Sequence, residues 1–101
     1  METQAVKLAR RAVQSKHWRW ADDMKHLRLW LQVETLPDVA DVATINHILH
    51  RLQEVNNDAE LTPVFDPLTE TWYIIKADGS RIGTPGGSKA EAIINALCET
   101  A

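Results

Sequence analysis

Asp78-Gly79 divides the apolar run Thr71 to Ala77 from the short run Arg81 to Thr84. An Asp-Gly pair supplies the positive φ that a tight turn needs, so the two runs are read as adjacent antiparallel strands. A further run, Leu61 to Phe65, precedes them and is joined through Asp66-Pro67-Leu68-Thr69-Glu70. The three together predict a meander, and a meander needs something apolar to cover one face. Pro85-Gly86-Gly87 interrupts the third strand. Ser88-Lys89-Ala90-Glu91 follows with the form of a capping box. There the serine hydroxyl accepts from the N–H three residues on, and the glutamate returns to the serine N–H. Ala92, Ile93, Ala96 and Leu97 supply the buried stripe of the helix so started.

Upstream, Ala5, Leu8, Ala9, Ala12 and Val13 recur at helical spacing, which predicts a helix over 3–14 with Lys7, Arg10, Arg11 and Gln14 outward. After Pro37-Asp38, Asp41 can cap a helix running to about Val55, with Ile45, Ile48, Leu49, Leu52 and Val55 as its stripe. Between these helices the pattern is ambiguous. Leu27, Leu29, Leu31 and Val33 alternate with Arg28, Trp30 and Gln32, as a half-buried strand does. Met24, Leu27 and Leu31 also sit three or four apart, with Asp22 or Asp23 available as a cap. Alternation over the whole segment favours the strand. The expected fold is α+β: one domain over 1–101, a small antiparallel sheet of three to four strands covered by about three helices.

Composition fits that size. At 101 residues, 45% apolar and 25% charged, the chain can bury a core without metals or disulfides. The single cysteine, Cys98, excludes an internal disulfide framework and points to a reducing compartment. Met1 to Val13 carries Glu2, Lys7, Arg10 and Arg11, unlike a secretory leader, and no apolar run is long enough for a membrane span. The expected location is the cytoplasm.

The net charge of −3 is unevenly spread: +3 over residues 1–34, −6 over 35–70 and zero over 71–101. Overall the chain lacks the basic character of a nucleic-acid binder, although a local patch can still bind. Four tryptophans stand out. Trp18, Arg19 and Trp20, flanked by Lys16 and His17, can stack bases while cations meet phosphates, or can be scaffold, one indole in the core and one closing a corner. On a strand, Trp30 faces outward beside Arg28 as an interface anchor; on a helix it is core.

Other constellations read as structural. His47 and His50 have metal-sharing spacing but no companion ligand in the same helix. Gly79, Gly83, Gly86 and Gly87 match neither the dinucleotide fingerprint nor the P-loop. Cys98 has no neighbouring base. Asp38, Asp41, Asp58, Glu60, Asp66 and Glu70 are mostly turn and cap residues. No catalytic residues, cofactor or metal are expected.

Three segments carry a resemblance. Leu8-Ala9-Arg10-Arg11-Ala12-Val13 precedes Trp18-Arg19-Trp20-Ala21-Asp22-Asp23-Met24, which resembles a Trp-Arg-Trp-x-x-Gly-Met motif with Asp23 at the glycine position. Pro37 to Thr44 resembles the acidic lead-in to a central helix, and Trp72-Tyr73 with Ser88 to Ala92 resembles a sheet and final helix. Together they are similar to a family of short, uncharacterised phage and prophage proteins. The resemblance implies a phage or prophage origin, hence a bacterial host cytoplasm, and no activity.

The resulting expectation is a phage accessory protein that binds a host or phage protein without catalysis, through Trp18, Arg19, Trp20, Arg28 and Trp30. The alternative is nucleic-acid binding through Arg10, Arg11, Lys16 and His17 with the same tryptophans. A homodimer through an exposed Leu27 to Val33 edge is a further expectation. No membrane partner is expected.

Overall fold

The computed structural model describes residues 3–26 and 35–101. Its elements are α1 (Gln4–Gln14), α2 (Val42–Val55), β1 (Thr62–Asp66), β2 (Thr71–Ile75), β3 (Arg81–Gly86) and α3 (Lys89–Glu99). The strands form an antiparallel sheet in the order β1-β2-β3. This is the α+β arrangement expected. The alternating segment Leu27 to Val33, with Arg28 and Trp30, lies outside the described residues.

α3 is the hub. It packs against all three strands and both other helices, so Ala92 through Leu97 are buried in an unbroken run. An amphipathic stripe serves a helix covered on one side; α3 has the sheet on one side and α1 and α2 on the other. α1 contributes Leu8, Ala9 and Ala12, and α2 contributes Ile45, Ile48 and Leu52. Ala5, Val13, Leu49 and Val55 flank that core and are partly buried.

Local chemistry places the helix starts. Thr3, Asp41 and Ser88 each accept from a backbone N–H three residues on, at Val6, Thr44 and Glu91. The box at Ser88 closes one residue earlier than expected: Glu91 reaches the Gly87 N–H, at 3.4 Å, instead of that of Ser88. The third strand is also longer than expected, because it continues through Pro85 to Gly86, which pairs with Trp72. Proline is tolerated there because β3 is an edge strand with a register shift opposite Trp72 and Ile74. Pro63 likewise sits on an edge strand, β1. The Asp78-Gly79 turn is present, with Gly79 at φ +90° and the Lys76 carbonyl accepting from its N–H.

The α2 cap makes a pH prediction. Asp41 accepts from both the backbone N–H and the hydroxyl of buried Thr44, each at 3.1 Å, with Lys25 Nζ at 3.6 Å. Chiefly the Thr44 N–H holds the carboxyl below its ordinary 3.8; desolvation, the next largest influence, opposes it, and the Thr44 hydroxyl and Lys25 add to the lowering. A depressed folded-state value favours the ionised form on folding. The contribution is therefore complete above the unfolded value and is lost as pH falls through the folded one. Asp78, held down by the Ser80 hydroxyl and N–H, acts with the same sign. Urea midpoints will fall between about pH 5 and about pH 2, and Asp41→Asn, which keeps a capping oxygen, will flatten part of that fall. An unchanged slope in Asp41→Asn would remove the cap from the explanation.

Candidate interaction surface

α1 ends at Ser15, whose hydroxyl accepts from the His17 N–H and donates to the Leu97 carbonyl. From here the chain runs antiparallel along α2. Arg51 Nε donates to the His17 carbonyl at 2.7 Å, Asp23 pairs with His47, and the Lys25 N–H donates to Thr44 Oγ1. Met24 is buried beneath this segment. The aromatic motif is thus strapped to α2 at three points along its length.

The strap presents a ladder of rings. Trp18 packs against the core, with Nε1 buried and unpartnered among the described residues. Trp20 stands edge-on to it, centroids 5.2 Å apart at 89°, and meets His26 on its other side at 5.0 Å and 81°. Edge-to-face contacts fix an indole without hiding it. Trp20 remains 43% exposed. Beside it opens a hollow of about 420 Å³ lined by Trp20, Ala21, Asp22, His26 and Thr35. Arg19 is exposed next to it. This is an aromatic ledge with one carboxylate and one hydroxyl at its margin.

The other expected site residues are spread around it. His17 is engaged at the C-terminus, its Nε2 lying 3.2 Å from the Thr100 carbonyl and 3.1 Å from that of Ala101. Arg11 and Lys16 are exposed, while Arg10 is partly buried and engaged. Arg11 and Lys16 line a hollow of about 460 Å³ with Gln14, Ser15, Cys98 and Thr100, where α1 and α3 both end. Cations there complement the negative ends of two helix dipoles. Partial burial pushes the Cys98 thiol up, outweighing the pull of Arg11, and the thiol donates to the Arg11 carbonyl at 3.4 Å. A protonated thiol is a weak nucleophile.

His47 and His50 are separately engaged, with Asp23 and Glu54. Among the described residues no group of three His, Cys, Asp or Glu side chains could hold a metal, and no helix is long and apolar enough to cross a membrane. His26, Asp22 and Thr35 were not singled out by sequence as parts of the ledge. Nothing periodic links them to Trp20; a bridge between His26 and Pro37 brings the two ends of the connecting segment together.

Among the described residues the fold and site define an α+β arrangement of three helices and a three-stranded antiparallel sheet, with Trp20 supported and exposed. Comparison with family models, with curated proteins and with solved structures gives no match for this chain.

Proposed function

We propose that this chain is a phage or prophage accessory protein that binds another protein, host or viral, without catalysis. The observation that carries the reading is Trp20, held edge-on between Trp18 and His26 yet open to solvent beside a hollow. A pre-positioned indole loses little side-chain entropy on docking, and tryptophans and arginines dominate the energetics of protein interfaces. Arg19 adds a charged contact at the rim, and Trp18 supports from beneath. The origin rests on the resemblance of the Trp18–Met24 motif. The nucleic-acid reading has less to work with: His17 is turned to the C-terminal carbonyls, and Asp22 and Asp23 interrupt the cations beside the tryptophans.

Affinity capture from phage-infected and uninfected bacterial lysates, with wild type and Trp20→Ala in parallel, tests the proposal. A stoichiometric protein partner is expected, its affinity reduced about thirtyfold or more by Trp20→Ala, as for a central interface anchor. The variant should keep its thermal midpoint, because Trp20 is outside the core. Absence of a stoichiometric partner, or a partner indifferent to Trp20→Ala, overturns the reading. Steeply salt-dependent oligonucleotide binding, abolished by Arg11→Glu/Lys16→Glu, would replace it with the nucleic-acid one.

A further inference from the structure

The hollow beside Trp20 is lined by side chains that share one electrostatic character. Its walls are Trp20, Ala21, Asp22, His26 and Thr35. Trp20, Asp22, His26 and Thr35 are all exposed, so the hollow opens to solvent. The Asp22 carboxylate makes no ion pair among the described residues, whereas its neighbour Asp23 is engaged by His47 and Lys25 lies against Asp41. Thr35 contributes a hydroxyl oxygen. Trp20 and His26 stand at 81° with centroids 5.0 Å apart. A group seated between two perpendicular rings lies over the face of at least one of them, and a ring face carries negative potential. Among the described residues no lysine or arginine side chain lines the hollow; Arg19 is exposed but is not part of its wall.

Carboxylate, hydroxyl oxygen and ring face all favour a cation. An anion would meet Asp22 as a like charge, and an apolar side chain would desolvate that carboxylate without giving it a partner. We infer that the hollow takes an arginine side chain of the protein partner, its guanidinium between Trp20 and His26 and paired with Asp22. The inference rests on the reading of this ledge as a protein-binding surface, and adds the chemistry of the group that docks there. Arginine suits the site better than lysine for two reasons. A planar guanidinium can lie on a ring, and its fork of donors can reach a carboxylate and a hydroxyl together. An ammonium is a compact, strongly hydrated charge that gives up more water to enter. Arginine is also the cationic residue enriched at protein interfaces, where lysine is depleted.

Proton–nitrogen NMR of the full chain, at about pH 8 where histidine side chains are ordinarily neutral, can follow the Trp20 indole N–H and the Asp22 amide during titration. The probe is acetyl-Gly-Arg-Gly-amide. One side chain alone should bind weakly, with a saturable shift and a Kd of the order of millimolar. The matching citrulline tripeptide keeps the planar shape without the charge and should give no saturable shift. The lysine tripeptide should bind severalfold more weakly than the arginine one. Asp22→Asn should weaken arginine binding about fivefold or more, and Trp20→Ala should abolish it. Both residues are exposed, so the rest of the spectrum should be unchanged in either variant. No saturable shift with arginine, equal binding of the citrulline or lysine tripeptide, or a Kd indifferent to Asp22→Asn overturns the inference. Its failure is distinguishable from failure of the protein-binding reading. A captured partner that depends on Trp20 but not on Asp22 removes the arginine and leaves that reading. Arginine binding through Asp22, with no partner captured, keeps the assignment of the hollow and removes the reading.

Discussion

Gly83→Val will remove most of the stability of this protein, and Gly83→Ala will do much of the same. Gly83 sits in β3 at φ +73°, where β-branched residues are strained. A Cβ at this position would lie 2.7 Å from the Ala96 Cα, 2.8 Å from its Cβ and 3.0 Å from its N. The first and last of these atoms are α3 backbone and cannot rotate aside, so the helix must lift from the strand. That helix carries the buried run Ala92 to Leu97, and the Asn95 Nδ2 bond to the Thr84 carbonyl, 3.0 Å, would stretch with it. Backbone strain of about 1–3 kcal/mol and overpacking of about 1–3 kcal/mol add to a large part of a total that is typically about 5–15 kcal/mol. Gly79→Ala is the control. Gly79 has φ +90° but nothing within 4 Å of a built Cβ, so it carries strain without collision. Thermal unfolding of Gly83→Ala and Gly79→Ala separates the two contributions. Equal midpoints would mean that the approach of β3 to α3 is not constrained by Gly83.

The comparison of these glycines also shows what could be read in advance. Gly79 was legible, because Asp78-Gly79 is a local signal and the turn it makes needs only its own residues. Gly83 looked like the same kind of residue; its role depends on a contact with Ala96, which no local pattern encodes. The caps at Asp41 and Ser88 were legible for the first reason, and the stripes of α1, α2 and α3 because burial follows the helical period. Pro85 was misread as a strand end because whether a strand is at an edge is a property of the whole sheet. At the candidate site the tryptophans drew notice by composition. The ledge itself depends on His26 and on strapping by Arg51, His47 and Thr44, which lie 34, 24 and 19 residues from the groups they hold. His17 went the other way, from expected stacking residue to a tie on carbonyls 83 and 84 residues distant.

Met24→Ala is expected to damage both the fold and the ledge. Met24 is 7% exposed and is the buried anchor between Trp20 and the ends of the connecting segment. Its truncation leaves a cavity under the strap, at a cost of about 2–5 kcal/mol. For a domain of this size that lowers the thermal midpoint by roughly 10 °C or more, at about 4–8 °C per kcal/mol. The polar straps do not compensate. Arg51, Asp23 and the Lys25 N–H hold the segment laterally, whereas Met24 is the one residue of 17–26 that is buried. With the anchor gone, the Trp18–Trp20–His26 ladder loses its fixed angles, and the near-ultraviolet circular dichroism that reports immobilised aromatic rings should fall. Met24→Leu, which conserves volume, should cost less than about 1.5 kcal/mol and keep the spectrum. Trp20→Ala removes the exposed ring and leaves the anchor, so it should leave stability nearly unchanged while weakening the proposed partner binding about thirtyfold or more. If Met24→Ala instead unfolds within about 1 kcal/mol of wild type with its aromatic spectrum intact, the strap is held by its polar ties and the ledge does not depend on the core beneath it.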